Sequence, residues 1–227
     1  MSRNTVEELT PSQLGTKEYW DSCYQQEVEN FDSHGDVGEV WFGEEAGVRV
    51  MTWLGDREQE GEISMEARIL DVGCGNGVMC VDLYKEGWTD VTGVDYSPAA
   101  VDLARKVAEK EDCQILFEVC DILEDLDKST SDALKKSYDI VVDKGTFDAI
   151  SLGETAATDK RTYVKNIVKL LACDGKLVIT SCNWTEEELI TMMGELFIHQ
   201  ETLPTPQFSF GGKTGNTVTA CIFIKKS

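Results

Sequence analysis

The chain has 227 residues, 42 of them acidic and 21 basic, for a formal charge of -21 at neutral pH. A surface that acidic repels nucleic-acid phosphates and the anionic face of a membrane, which argues against both as partners. Eight cysteines without a C-x-x-C pair, and only two histidines, His34 and His199, offer no zinc-site pattern, so no metal is expected.

From about Thr16 to Phe31, Trp20, Tyr24, Val28 and Phe31 recur at helical spacing, and Thr16 is placed to cap a helix with an aromatic face. The residues before it, 1–15, are polar and expected to fray. A glycine- and aspartate-bearing loop, Ser33 to Gly43, ends in Trp41-Phe42-Gly43. A second helix should follow with Val50, Met51 and Leu54 inside, so residues 16–64 form an N-terminal helical extension.

After Met65 short apolar runs alternate with helical stretches, the pattern of a parallel sheet wound with crossover helices. Five strands are predicted: Arg68 to Val72, Val91 to Asp95, Ile115 to Cys120, Tyr138 to Asp143 and Lys176 to Ser181. Ser97 caps a helix with Pro98 at its first position, and Thr185 with Glu188 makes a capping box. The charged stretch Glu124 to Lys136 reads as a loop or a poorly packed helix. Ile198 to Leu203 and Val218 to Ile224 read as an antiparallel hairpin at the sheet edge. The apolar runs form one series, so a single domain over residues 1–227 is expected, with its core in 65–227.

Cys120, Cys182 and Cys221 sit in apolar patterns as small core residues, in keeping with a reducing interior. The opening residues lack an apolar signal region, and no run approaches the roughly 20 residues that span a bilayer. A monomer that is cytoplasmic, with the nucleus also open to it, is expected. The acidic excess fits either solubility alone or the steering of a basic protein substrate.

Ile69-Leu70-Asp71-Val72-Gly73-Cys74-Gly75-Asn76-Gly77 carries a strand into a glycine-rich turn and then a helix, whose free N–H groups suit a ligand. Asp95 closes the next strand, 24 residues after Asp71, where a carboxylate accepts ribose hydroxyls. A dinucleotide site requires G-x-G-x-x-G, but the third glycine arrives one residue early, at Gly77, which counts against NAD. Gly211-Gly212-Lys213-Thr214 has Gln207 where a phosphate loop needs glycine, and a strand follows.

The Asp-x-Gly-x-Gly-x-Gly run with an acid ending the second strand resembles the cofactor motif of class I, Rossmann-like methyltransferases. That resemblance implies a doubly wound, mainly parallel seven-stranded sheet with an antiparallel C-terminal hairpin strand, and S-adenosylmethionine as cofactor. It places Asp71 and Gly73 near the methionine moiety, Gly75 and Gly77 near the ribose and Asp95 on its hydroxyls. Tyr96 would flank the adenine, Asp121 receive its amino group and Ile122 pack on the ring. The run Asp143-Lys144-Gly145-Thr146-Phe147-Asp148 ends the fourth strand, where ligands of open parallel sheets lie. With Trp41-Phe42-Gly43-Glu44-Glu45, Ser181-Cys182-Asn183-Trp184-Thr185, Leu203-Pro204-Thr205-Pro206 and Phe208-Ser209-Phe210-Gly211-Gly212, it closely resembles the elongation factor 1-alpha lysine methyltransferases.

Methyl transfer from a sulfonium is an in-line displacement, so alignment and exclusion of water are what the protein must supply. Asp143, Lys144, Phe147 and Asp148 are the candidate catalytic residues, with Asp143 ahead of Asp148 for orienting the acceptor ammonium and Lys144 a local charge partner. Asp143 and Trp41 also count among the cofactor contacts. Trp41, Phe42, Asn183 and Trp184 are candidates for the acceptor wall, where rings would attract a cation. A methyltransferase for another protein or a metabolite, and a non-catalytic binding module, stay open as alternatives.

Overall fold

Apolar stretches of strand and helix period each bury one face only when stacked, so the chain is driven into layers. The computed structural model describes residues 6–205, 207–210, 213–216 and 218–226. Helix α1 (Lys17–His34) begins where the Thr16 side chain accepts from the Tyr19 amide at 3.4 Å, and it stops at Gly35 in the left-handed region. Helix α2 (Glu44–Gln59) buries Ala46, Val50, Trp53 and Leu54. Strands and helices then alternate: β1 (Ile69–Val72), α3 (Val78–Lys85), β2 (Val91–Asp95), α4 (Pro98–Lys110), β3 (Leu116–Val119) and β4 (Tyr138–Lys144). They continue with α5 (Thr146–Ser151), α6 (Ala156–Leu170), β5 (Leu171–Ser181), α7 (Glu186–Met193), β6 (Phe197–Thr202), β7 (Gln207–Phe210), β8 (Lys213–Asn216) and β9 (Thr219–Lys225).

The main sheet has seven strands in the order β3-β2-β1-β4-β5-β9-β6. Strands β1 to β5 are parallel, and β9 runs antiparallel to both β5 and β6. The last strand thus inserts inside the hairpin partner's position, and burial explains why. Ala220, Cys221, Ile222 and Phe223 are all buried, whereas β6 alternates a buried Phe197 with Ile198 at 54% exposure. A strand apolar on both faces belongs within the sheet and a half-polar one at its edge.

Successive strand residues feed opposite faces. Ile69, Ile140, Val142, Val178 and Ile222 pack with residues of α2, α3 and α4. Leu70, Val72, Val141, Leu177, Ile179 and Phe223 pack with Phe147, Tyr163, Ile167 and Leu189 of α5, α6 and α7. Ser97 and the Thr185–Glu188 box cap α4 and α7 as predicted, because a side-chain oxygen satisfies an otherwise orphan amide.

Four local expectations change. The N-terminal stretch, expected to fray, is docked from Val6 onward: Val6 and Leu9 pack on the second core face, Glu8 pairs with Lys160 at 2.7 Å, and the Ser12 amide donates to the Leu152 carbonyl at 3.0 Å. Residues 1–5 lie outside the described residues. The 124–136 stretch forms two single 3-10 turns, Leu126–Lys128 and Ala133–Lys135, with Leu126, Ala133 and Leu134 buried, so it is anchored although irregular. A two-stranded hairpin, β7 with β8, separates β6 from β9. Pro206 and the Gly211-Gly212 pair noted in the sequence lie outside the described residues. Cys182, expected in the core, is exposed just past the end of β5.

Candidate active site

A cavity of about 270 Å³ opens beyond the C-terminal ends of the parallel strands, lined by the turn after β1, the ends of β2 and β4 and the segment after β3. This is where the connections leaving the adjacent strands β1 and β4 turn to opposite faces of the sheet and leave room for a ligand.

Gly73 and Gly75 both adopt positive φ, 66° and 53°. A side chain on Gly73 would strike the Thr146 hydroxyl, which donates to the Val72 carbonyl at 2.7 Å; one on Gly75 would strike the Tyr24 hydroxyl. The backbone here lies bare to the cavity. Gly77 does something else, and its expected place at the ribose is corrected. An added Cβ would sit 2.7 Å from the Ala104 Cβ, so the glycine lets α3 and α4 close up and is absent from the cavity wall. Asp71 is likewise 3% exposed and beneath the wall, accepting from the Cys80 thiol at 3.4 Å. Burial raises its pKa to about 6, partly offset by the nearby Lys144 charge.

Asp95 lines the cavity with both oxygens in use: Oδ2 accepts from the Gly75 amide at 3.1 Å and Oδ1 from the Ser97 amide at 2.9 Å. Each carboxylate oxygen keeps a second lone pair, so capacity remains for a pair of hydroxyl donors. Burial holds its pKa up at about 6. Beyond it lie Tyr96, Asp121 and the buried Ile122, all on the wall. Asp121 Oδ1 accepts from the Leu123 amide at 2.9 Å, and its other oxygen pairs with Lys17, whose ammonium stands 5.1 Å from the Tyr96 ring centre.

Lys17, Trp20 and Tyr24 of α1 were given no role by sequence, yet all three line the cavity. Trp20 stacks on Tyr24 at 6.0 Å and meets Trp41 edge-on at 4.9 Å, while its indole N–H donates to the Leu14 carbonyl at 2.7 Å. Their helical spacing marks an aromatic face; what that face covers is not encoded locally.

The fourth-strand motif divides. Asp143 is fully buried and off the cavity wall, accepting from the Thr146 amide at 2.9 Å, the Phe147 amide at 3.0 Å and the Tyr163 hydroxyl at 2.5 Å. Its expected contact with an ammonium or with the cofactor is therefore corrected: it ties the β4–α5 turn to α6. Phe147, 1% exposed, packs on Tyr163 at 5.2 Å and is also removed from the chemistry. Asp148 does reach the wall, with Oδ1 accepting from the Ser181 hydroxyl at 2.5 Å and Oδ2 from the Cys182 amide at 2.7 Å. Burial raises its pKa. Lys144 lines the cavity and donates to the Trp41 carbonyl at 2.9 Å.

Trp41, Phe42 and Asn183 stand on the wall, but Trp184 is corrected. It is 3% exposed, donates its indole N–H to the Ser151 hydroxyl at 3.1 Å and carries the Lys160 ammonium 4.7 Å from its ring, so it is core. Among the described residues, the wall includes the acidic Glu39, Asp95, Asp121, Asp148, Glu154 and Asp159 against the basic Lys17 and Lys144. The cavity favours a cation.

The strand order, the antiparallel last strand and the glycine turn at the tip of β1 define a class I, Rossmann-like methyltransferase. A family model described as a methyltransferase domain matches residues 63–212. The chain is 46% identical to the human "EEF1A lysine methyltransferase 2", over 96% of this chain and 89% of that protein. It is 36% identical to the Saccharomyces cerevisiae "Protein-lysine N-methyltransferase EFM4", over 97% and 98%. Among solved structures it resembles the N-methyltransferase NodS from Bradyrhizobium japonicum in complex with S-adenosyl-l-homocysteine. The TM-score is 0.62 at 20% identity, over 92% of this chain and 99% of that one. The chain belongs to the EEF1A lysine methyltransferase family, and it is an enzyme of the methyltransferase class.

Proposed function

We propose that this protein transfers methyl groups from S-adenosylmethionine to the ε-amine of a lysine in translation elongation factor 1-alpha, as a cytoplasmic monomer with access to the nucleus. The observation that carries the reading is the single continuous wall running from Asp95, Tyr96 and Asp121 to Trp41, Phe42, Asp148 and Asn183. The glycine turn and Asp95 supply the fit for the adenosyl part: a turn whose Gly73 and Gly75 lie on the cavity wall, and a carboxylate with spare acceptor capacity. When bound, the cofactor supplies an electrophilic methyl on a sulfonium.

The remaining work belongs to the chain's own residues. Asp95 would hold the ribose, and Tyr96, Ile122 and Asp121 the adenine. Trp41, Phe42 and Asn183 would wall the acceptor side and keep water out, which favours the displacement. A free lysine has a pKa of about 10.4, so only about one amine in a few thousand is neutral at pH 7. The acidic wall attracts the ammonium, while burial among Trp41 and Phe42 favours its neutral form once docked. Asp148, with both oxygens engaged by Ser181 and Cys182, holds the turn that presents Asn183.

The test is to incubate the purified protein with isotopically labelled S-adenosylmethionine and purified elongation factor 1-alpha, then to map the label by mass spectrometry. Methylated lysine in the factor is the expected result. An unlabelled factor, with label in a parallel lysate reaction confined to other proteins or to small molecules, would overturn the substrate assignment.

A further inference from the structure

The turn that carries Trp41 and Phe42 is held in a form its own residues disfavour. Phe42 has φ 66°, in the left-handed region, where a side chain with a Cβ stays only when neighbours impose it. The following Gly43 also has a positive φ, 72°. Three contacts impose this shape. The Gly43 amide donates to the Val40 carbonyl at 2.9 Å. The Phe42 ring lies over Gly145, where an added Cβ would come within 3.0 Å of it. The Lys144 ammonium donates to the Trp41 carbonyl at 2.9 Å. Upstream, the Asn76 side-chain Nδ2 in the glycine turn donates to the Val37 and Glu39 carbonyls at 3.0 and 3.2 Å. The strap 37–43 is therefore tied at one end to the cofactor turn and at the other to the tip of β4.

Of these ties, Lys144 is the charged one, and it holds Trp41, one of the two aromatic strap residues on the cavity wall. A charged donor to a carbonyl in a half-buried setting is stronger than a neutral one, and removing it leaves the carbonyl without a partner. Burial lowers the Lys144 pKa while the nearby Asp71 and Asp143 charges oppose the shift, but the amine is aimed at backbone, and methyl transfer needs no lysine nucleophile.

We propose that Lys144 is a positioning residue, whose ammonium fixes the Trp41–Phe42 turn and thereby builds the acceptor wall of the cavity without touching the reacting atoms. The inference rests on the methyltransferase reading for its kinetic arm and on the geometry alone for its structural arm.

The test compares Lys144→Met with Lys144→Arg in the full chain. In the Met variant the KM for the protein acceptor should rise by about tenfold or more, the loss expected for a charged hydrogen bond, while the Kd for S-adenosylmethionine changes less than about threefold. The Arg variant, which keeps a cation within reach of the carbonyl, should restore most of the acceptor KM. Hydrogen exchange of the Glu39–Gly43 amides should quicken by about tenfold in the Met variant, with α4 amides unchanged. Should the Met variant not fold, Lys144→Gln, which retains a neutral donor, should show the same changes to a smaller extent. Unchanged strap exchange would overturn the proposal. So would a loss of cofactor affinity equal to the loss in acceptor KM, with no rescue by Arg. Failure of the wild-type protein to methylate the factor, with the strap still loosening in the variant, would sink the substrate assignment and leave the positioning role standing.

Discussion

Buried aspartates set the pH behaviour of the site. Burial lifts Asp71 and Asp95 to about 6 and Asp143 to about 7, against about 3.9 in an unfolded chain. The folded protein therefore retains protons that the unfolded chain has released, so their stabilising contribution is full below about pH 4 and is lost as pH rises through 6 to 7. A ligand whose hydroxyls donate to Asp95 prefers the ionised carboxylate and works in the opposite direction. Cofactor affinity should accordingly weaken as pH falls below about 6, approaching tenfold per unit. Calorimetry on Asp95→Ala should show binding weaker by roughly 10 to 100-fold at pH 8, with that pH dependence gone. A binding curve unaltered by the substitution would remove Asp95 from the site. Asp143→Asn places an amide N–H against donors that now meet a carboxylate, a cost of about 1–3 kcal/mol. The expected outcome is a melting temperature lower by about 2–10 °C, with transfer by the folded fraction near that of wild type. A large loss of rate without loss of stability would return Asp143 to the chemistry.

Among elements, the segment from Val6 to α1 is the least legible in sequence and among the closest to the cavity. Thr16 announces where α1 begins, because capping is a contact between near neighbours. The short polar stretch before it has no periodicity, yet its Glu8 pairs with Lys160 of α6 and its Val6 and Leu9 pack on the second core face. Removing residues 1–9 should cost about 2–3 kcal/mol, from two partly buried apolar side chains and an unpaired half of the Glu8–Lys160 contact. Differential scanning calorimetry of the truncated chain should register this as a fall of several degrees. An identical melting curve would mean that the arm contributes nothing to the fold.

For the whole molecule, the acidic excess behind the charge of -21 extends to the cavity wall, which has the same bias. Encounter with a basic acceptor should then be faster at low salt. Raising ionic strength from about 0.02 to 0.3 M shortens the screening length from roughly 20 to 6 Å and should lower kcat/KM for the protein acceptor several-fold. Cofactor Kd, governed by contacts inside the cavity, should change little. Salt-independent kcat/KM would reduce the acidity to a matter of solubility.

Sequence alone determined what depends on neighbours a few residues apart: strand and helix periods, the caps at Thr16, Ser97 and Thr185, and the glycine turn aimed at the strand tips. It also marked Asp95, Tyr96, Asp121, Trp41, Phe42 and Asn183, which the fold does gather on one wall. Only tertiary structure separated side chains of like chemistry. Asp148 reaches the cavity while Asp143 is sealed beneath Tyr163, and Trp41 stands on the wall while Trp184 fills the core. Gly77 serves the contact with Ala104, and Lys144 finds a carbonyl 103 positions away. Those destinations are set by which distant element packs against each residue, and a local pattern carries no information about a partner it never meets along the chain.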